Sequence, residues 1–132
     1  MSSERIALGG LILNNELMHD VCGKLSPESF SNMSLGNLYK HIVQFYNDKK
    51  PFDAISIADH LGDRWLPECG NLVSEAVRNG NTLNHVSIVI ENHKRRLIQA
   101  RLAESINQII NKAKTQDVIN DLSTFISTLD SQ

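Results

Sequence analysis

Residues 86–129 have the sequence VSIVIENHKRRLIQARLAESINQIINKAKTQDVINDLSTFISTL, in which apolar side chains recur at intervals of three and four. That spacing places them on one side of an α-helix, which makes about 3.6 residues per turn. A first seam consists of Val86, Ile90, His93, Leu97, Ala100, Ala103, Ile106, Ile110 and Ala113. A second seam follows the short polar joint KTQD and consists of Val118, Leu122, Phe125 and Leu129. The pattern predicts a helical hairpin over residues 85–132, with two long antiparallel helices and a tight connection.

The hairpin carries more apolar residues than two helices bury between themselves. Further apolar residues flank the two seams, namely Ile98, Leu102 and Ile109 on the first helix and Ile119 and Ile126 on the second. Surplus apolar surface of this kind usually marks an interface, although packing within one chain is the alternative. We therefore expect a second copy to cover Leu97, Ile98, Leu102, Ile106 and Ile110, together with Leu122, Phe125, Ile126 and Leu129.

The part that precedes the hairpin differs from it in composition. All seven glycines and all three prolines lie at or before Gly80. These residues are the strongest helix breakers, so residues 1–84 are expected to form a compact head of short helices. Pro67 predicts a loop over GDRWLPECG, residues 62–70, in which Trp65 either fills the core or anchors a partner. The whole chain, residues 1–132, is expected to be one all-α domain.

Composition and charge exclude several classes of protein. The chain has 132 residues, of which 41% are hydrophobic and 21% charged, and this suits one globular domain. Its formal net charge of −2 disfavours tight binding of a phosphate backbone by the whole domain. No apolar run approaches the ~20 residues that cross a bilayer, and the first residues make a poor secretory signal. We expect no membrane partner, a cytoplasmic location, and Cys22 and Cys69 as reduced apolar fillers.

Signatures of catalysis are missing from the sequence. It has no phosphate-binding P-loop, and Gly9-Gly10 lacks the further glycines of a dinucleotide-binding turn. The five histidines show no zinc-ligand spacing. We therefore expect no catalytic, cofactor-binding or metal site, and no enzymatic activity. The strongest charge cluster is Lys94, Arg95 and Arg96 with Arg101 nearby; it is either a solvated helix face or a contact for an acidic partner or nucleic acid.

Several segments resemble the N-terminal collar domain of DnaB-type hexameric replicative DNA helicases. ALGGLILNNELMHDV (residues 7–21) resembles the opening segment of that domain, and PFDAISIADHL (residues 51–61) resembles a second family pattern. LYKHIVQFY (residues 38–46) matches the helix between them, and residues 91–96 match the charged start of the family's hairpin helix. The sequence departs from the family at residues 62–71 and at NGNTLNH, and residues 1–132 do not include the family's RecA-like ATPase domain.

The resemblance implies a non-catalytic domain that pairs helicase subunits and recruits partners during DNA replication. Its hairpins would pair into dimers, which assemble as a ring of three pairs, and its partners would be primase and the helicase loader. DNA would be bound only through an ATPase domain that this sequence lacks. Two alternatives stay open: a stand-alone accessory or decoy protein that modulates a host helicase, and a small helical DNA-binding protein that uses the four cationic residues.

Overall fold

The computed structural model describes residues 2–130, in which all regular structure is helical and no strand occurs. This confirms the expected all-α fold. The helices are α1 (Ser3–Leu13), α2 (Met18–Val21), α3 (Met33–Asn47), α4 (Ala54–Leu61), α5 (Trp65–Asn79), α6 (Thr82–Ile110) and α7 (Thr115–Asp130). Two single 3-10 turns, Asn15–Leu17 and Pro27–Ser29, precede α2 and α3.

The chain divides into two compact units, Met1–Glu91 and Asn92–Gln132. The expected boundary lies between residues 84 and 85, whereas the first turns of α6 belong to the first unit. The reason is that Val86 and Val89 are buried in the core of that unit. Whether residues 1–132 behave as one domain stays a prediction.

Helix α1 packs closely against α5 and the first residue of α6 because two of its residues have no side chain. A Cβ atom added at Gly9 would lie 1.9 Å from the carbonyl oxygen of Leu72. A Cβ atom added at Gly10 would lie 2.0 Å from the hydroxyl oxygen of Thr82, the first residue of α6. Glycine is normally unfavourable inside a helix, so its presence here is explained by the close approach of neighbouring elements.

The start of α5 corrects one expectation. Residues 65–70 are helical rather than a loop, because Pro67 lies in the first turn of α5, where backbone N–H groups have no partner within the helix. Trp65 is buried, with 3% of its surface exposed, and the Arg64 guanidinium lies 4.8 Å from the centre of its ring. Trp65 therefore fills the core, which resolves the choice between its two expected roles.

Ionic and polar contacts join α1 to the rest of the first unit. The Arg5 guanidinium donates to Glu68 at 2.6 Å and to Glu75 at 2.7 Å, so it joins α1 to α5. The Glu4 carboxylate accepts from the backbone N–H groups of Ser31 and Asn32 at 3.0 and 3.2 Å. These contacts orient the first turn of α1, whereas its glycines lie in the second half of the helix.

The two cysteines have different surroundings. Cys69 is buried in the core, and burial raises the pKa of its thiol to about 11. It is the apolar filler that the sequence predicts. Cys22 is exposed, so the same prediction is wrong for it. None of the helices in residues 2–130 has the length and apolar character needed to cross a membrane.

Replacing Gly9 by alanine tests the close contact between α1 and α5. The added methyl group has no room beside the Leu72 carbonyl, and we expect the free energy of unfolding to fall by about 3 kcal/mol or more. Gly70→Ala is the matched control, because Gly70 lies inside α5 with nothing within 4 Å of its added Cβ. The free energy of unfolding of Gly70→Ala should rise by about 0.5–1 kcal/mol. An equal change in the free energy of unfolding of the two variants, measured by urea denaturation, would contradict this packing.

Candidate self-association surface

The second unit is a helical hairpin, as the sequence predicts. Its two arms are the part of α6 from Asn92 to Ile110 and the whole of α7. The connection between them is short and polar. Lys112 has a positive φ of 60°, and the N–H of Ala113 donates to the carbonyl of Gln108 at 2.9 Å. These features end α6 and allow the chain to reverse.

The side of α6 that faces α7 is polar. Ser105 is buried, and Arg101 and Gln108 are half-buried on the same side of the helix. The Arg101 guanidinium lies 5.0 Å from the centre of the Phe125 ring, and the Gln108 amide donates to the Asp121 carboxylate at 3.4 Å. From Ala100 onward the members of the predicted first seam are exposed and do not face α7: Ala100, Ala103, Ile106 and Ile110 on α6, and Ala113 after its end. Spacing alone did not show that polar residues occupy the inward positions.

The hairpin buries very little of its own surface. Among residues 92–130, only Ser105 and Val118 are buried. The Ser105 hydroxyl has no hydrogen-bond partner within the described chain, which costs free energy in a buried position. The second predicted seam does face α6, since Val118 is followed at helical spacing by half-buried Leu122, Phe125 and Leu129. The hairpin therefore has a thin core with apolar residues on one arm and polar residues on the other.

The nine residues predicted for self-association fall into two groups. Half-buried in the hairpin are Leu97, Leu122, Phe125 and Leu129. Exposed on its surface are Ile98 (41%), Leu102 (53%), Ile106 (61%), Ile110 (69%) and Ile126 (61%). The predicted set omitted Ile109 and Ile119, which are both 53% exposed, although their spacing placed them beside the seams.

Much of this exposed apolar surface lies on one side of the hairpin, which we call the apolar flank: Ile98, Leu102, Ile109, Ile119 and Ile126. Ile98 and Leu102 line a cleft of about 420 Å³ together with Ile126 of α7. Ile109 lies eleven residues after Ile98 and Ile119 lies seven before Ile126, spacings that return to nearly the same side of a helix. A contiguous exposed apolar patch is typical of a protein interface.

The cationic residues do not form one patch. Lys94 and Arg101 line the same cleft as Ile98, and Arg101 also pairs with Glu104 at 3.8 Å. Arg95 donates to the side chain of Asn92 at 3.2 Å. Consecutive helical residues point about 100° apart, so Lys94, Arg95 and Arg96 face three directions. Their contact with a partner or nucleic acid stays a prediction.

The described residues include no group of three or more His, Cys, Asp or Glu side chains that could hold a metal ion. Acidic residues are scarce around the cleft on the apolar flank, where only Asp130 carries a carboxylate. The arrangement of the flank suits burial against another apolar surface.

Comparison with known proteins places the chain in one family. Residues 1–127 match the model of the DnaB-like helicase N terminal domain family. The replicative DNA helicase DnaB of Mycobacterium leprae (strain TN) is 29% identical over 108 residues, which are 76% of this chain. The chain spans about a fifth of the length of that relative, 18%.

Solved structures show the same fold. The crystal structure of the N-terminal domain of DnaB helicase from Mycobacterium tuberculosis is similar with a TM-score of 0.81 and 25% identity, over 95% of this chain and 94% of that one. A DnaB-like replicative helicase, described with its interactions with primase, is similar with a TM-score of 0.72 and 21% identity. The second likeness covers 96% of this chain and 31% of that one.

Replacing Ser105 by alanine tests whether the inner side of the hairpin is weakened by a buried, unpartnered hydroxyl. We expect Ser105→Ala to raise the free energy of unfolding by about 1 kcal/mol, measured by urea unfolding followed by circular dichroism. Ser123→Ala is the control, because Ser123 is exposed within α7 and reports the higher helix propensity of alanine alone. Equal gains in the two variants would show that the Ser105 hydroxyl costs nothing.

Proposed function

The chain belongs to the family of DnaB-like helicase N-terminal domains, and from that premise we propose that it is a non-catalytic oligomerisation and partner-docking domain of a replicative DNA helicase. The observation that carries this proposal is the apolar flank of the hairpin, where five Leu and Ile side chains are 41–61% exposed. Water contact with that much apolar surface is unfavourable, and a second copy of the chain presents the same surface to cover it.

The hairpin has features that favour pairing between copies. Its inner side is polar at Arg101, Ser105 and Gln108, so the two arms gain little apolar burial from each other. A second copy that covers the apolar flank adds the burial that the hairpin lacks. Each Leu or Ile side chain fully removed from water stabilises the pair by about 1.5–3 kcal/mol. Lys94 and Asp130 line the same cleft as the flank residues, and charges at such a rim influence the register of two surfaces more than their affinity.

Larger assemblies and partner proteins extend the proposal. We propose that pairs of chains assemble further, in a ring of three dimers, and that primase and a helicase loader bind the collar so formed. The similarity to a DnaB-like replicative helicase described with primase supports primase as the partner. ATP hydrolysis and movement on DNA would belong to an ATPase domain outside residues 1–132, and the site of action would be the cytoplasm.

Leu102→Glu tests self-association on the apolar flank. Leu102 is 53% exposed, so a carboxylate is tolerated in the single chain, whereas it would be buried without a partner in a dimer. We expect the mass measured by light scattering to fall toward that of one chain, 14.8 kDa, while helicity stays unchanged.

Ala100→Glu provides the matched control for that substitution. Ala100 is exposed on the same helix and points away from the flank, because two residues turn a helix by about 200°. The control should keep the mass of the unmodified chain. An unchanged mass in Leu102→Glu, or an equal fall in both variants, would refute self-association through the flank.

A second measurement separates a helicase domain from a decoy protein. The unmodified chain is mixed with a full-length DnaB-type helicase, and hexamer formation and unwinding are followed. A decoy would lower both in proportion to its concentration, and Leu102→Glu should abolish that effect. No effect on hexamer formation or unwinding would favour a domain that associates only with copies of itself.

A further inference from the structure

A second cleft, of about 510 Å³, lies in the first unit and has no role in the function proposed for the hairpin. We call it the lysine cleft. It is lined by Asn15, Glu16, His19, Tyr46, Asn47, Lys49, Lys50, Pro51 and Phe52. These residues come from the turn before α2, from α2 itself, from the end of α3 and from the segment that leads to α4. Its volume is in the range of preformed ligand pockets, which is roughly 300–1,000 Å³.

Hydrogen bonds hold the walls of the lysine cleft in place. The side-chain amide of Asn15 donates to the carbonyls of Leu11 and Ile12 at 2.9 and 3.2 Å, and its oxygen accepts from the N–H of Phe52 at 2.8 Å. One side chain therefore joins the end of α1 to the segment before α4. Phe52 is only 3% exposed, which anchors this wall in the core. A site held in this way loses little conformational entropy when it binds a ligand.

The opposite wall is formed by an aromatic pair. His19 Nδ1 lies 2.8 Å from the Tyr46 hydroxyl, and the two rings meet edge to face with centroids 5.4 Å apart. The hydrogen bond joins α2 to the last turns of α3. Since the two side chains contact each other, they present a fixed surface to the cleft.

Two adjacent ammonium groups at the lysine cleft make no ion pair within residues 2–130. Lys49 and Lys50 are exposed, and within residues 2–130 neither side chain makes an ion pair, nor does Glu16 on the same cleft. Their backbone is fixed: Lys49 has a φ of 57°, and the N–H groups of both residues donate to carbonyls in the last turns of α3, at 3.0 and 2.9 Å. The cleft thus displays two unpaired cationic groups on a defined backbone.

We propose that the lysine cleft binds a short acidic peptide segment of a partner protein. Carboxylates of the peptide pair with Lys49 and Lys50, and one of its apolar side chains packs against Pro51, which is exposed. The long apolar stems of the two lysines extend that apolar surface. The proposal rests on the docking part of the proposed function, but it uses a surface other than the apolar flank.

A peptide fits this cleft better than a nucleic acid does. The chain carries a net charge of −2, and a phosphate backbone is held by several cationic contacts along its length. The cleft offers two lysines, which is fewer than a phosphate backbone needs, whereas two carboxylates of a short peptide can each pair with one of them.

Fluorescence anisotropy with a fluorescein-labelled peptide of sequence Asp-Asp-Leu-Phe-Asp-Asp tests the proposal. The double variant Lys49→Asn/Lys50→Gln should weaken its binding by about tenfold or more, which corresponds to about 1.4 kcal/mol. Asparagine is chosen at position 49 because it tolerates a positive φ. The control Lys24→Gln/Lys40→Gln removes two exposed lysines from the same unit and should change the affinity less than about twofold, since such surface charges act weakly at a distance.

Three outcomes would overturn the proposal. One is the absence of binding by the unmodified chain, and another is equal weakening in the two double variants. The third is a labelled oligothymidine that binds more tightly than the peptide and is lost in Lys49→Asn/Lys50→Gln, which would assign the cleft to nucleic acid. Light scattering on the same samples separates the two proposals: an oligomer that persists without peptide binding refutes only the lysine cleft.

Discussion

The packing of the first unit depends on two residues that have no side chain. At Gly9 a methyl group would overlap the Leu72 carbonyl, and at Gly10 it would overlap Thr82. Because Gly9 and Gly10 carry only hydrogen at these positions, α1 approaches both α5 and the first residue of α6. Ser3 then reaches His85 at 3.0 Å, and Val86 and Val89 enter the core. The two glycines therefore allow α5 and the beginning of α6 to pack against the same buried helix, α1.

The second unit, in contrast to the closely packed first unit, makes few packing contacts within itself. Its inner side contains an arginine, a serine and a glutamine on α6, while Leu and Ile residues of the same helix face solvent. A short two-helix element with two buried residues gains little stability from packing, which is the main source of helix stability in proteins. Covering the apolar flank by a second copy would supply that packing, so in this account assembly completes the hairpin. The lysine cleft, in the first unit, stays available to a different partner.

Much of this organisation could be predicted from the sequence. Helical spacing over residues 86–129 predicted the hairpin, and the absence of glycine and proline after Gly80 separated it from the preceding helices. The apolar residues on the two arms were recognised as a surplus. Spacing could not show which side of α6 faces α7, because polar residues at 101, 105 and 108 occupy the inward positions. Pro67 was misleading because its effect depends on whether it lies at the start or the middle of a helix. The lysine cleft combines residues 15–19 with residues 46–52, and only the tertiary structure brings these segments together.

The central claim is that the apolar flank is covered by a second copy of the chain. Sedimentation equilibrium of the unmodified protein over a wide range of concentration tests it most directly, because the method reports mass without a label or a substitution. The account predicts a mass that rises from 14.8 kDa at high dilution to the dimer or a multiple of it. A single-chain mass at every concentration, including the highest that the protein tolerates, would contradict it.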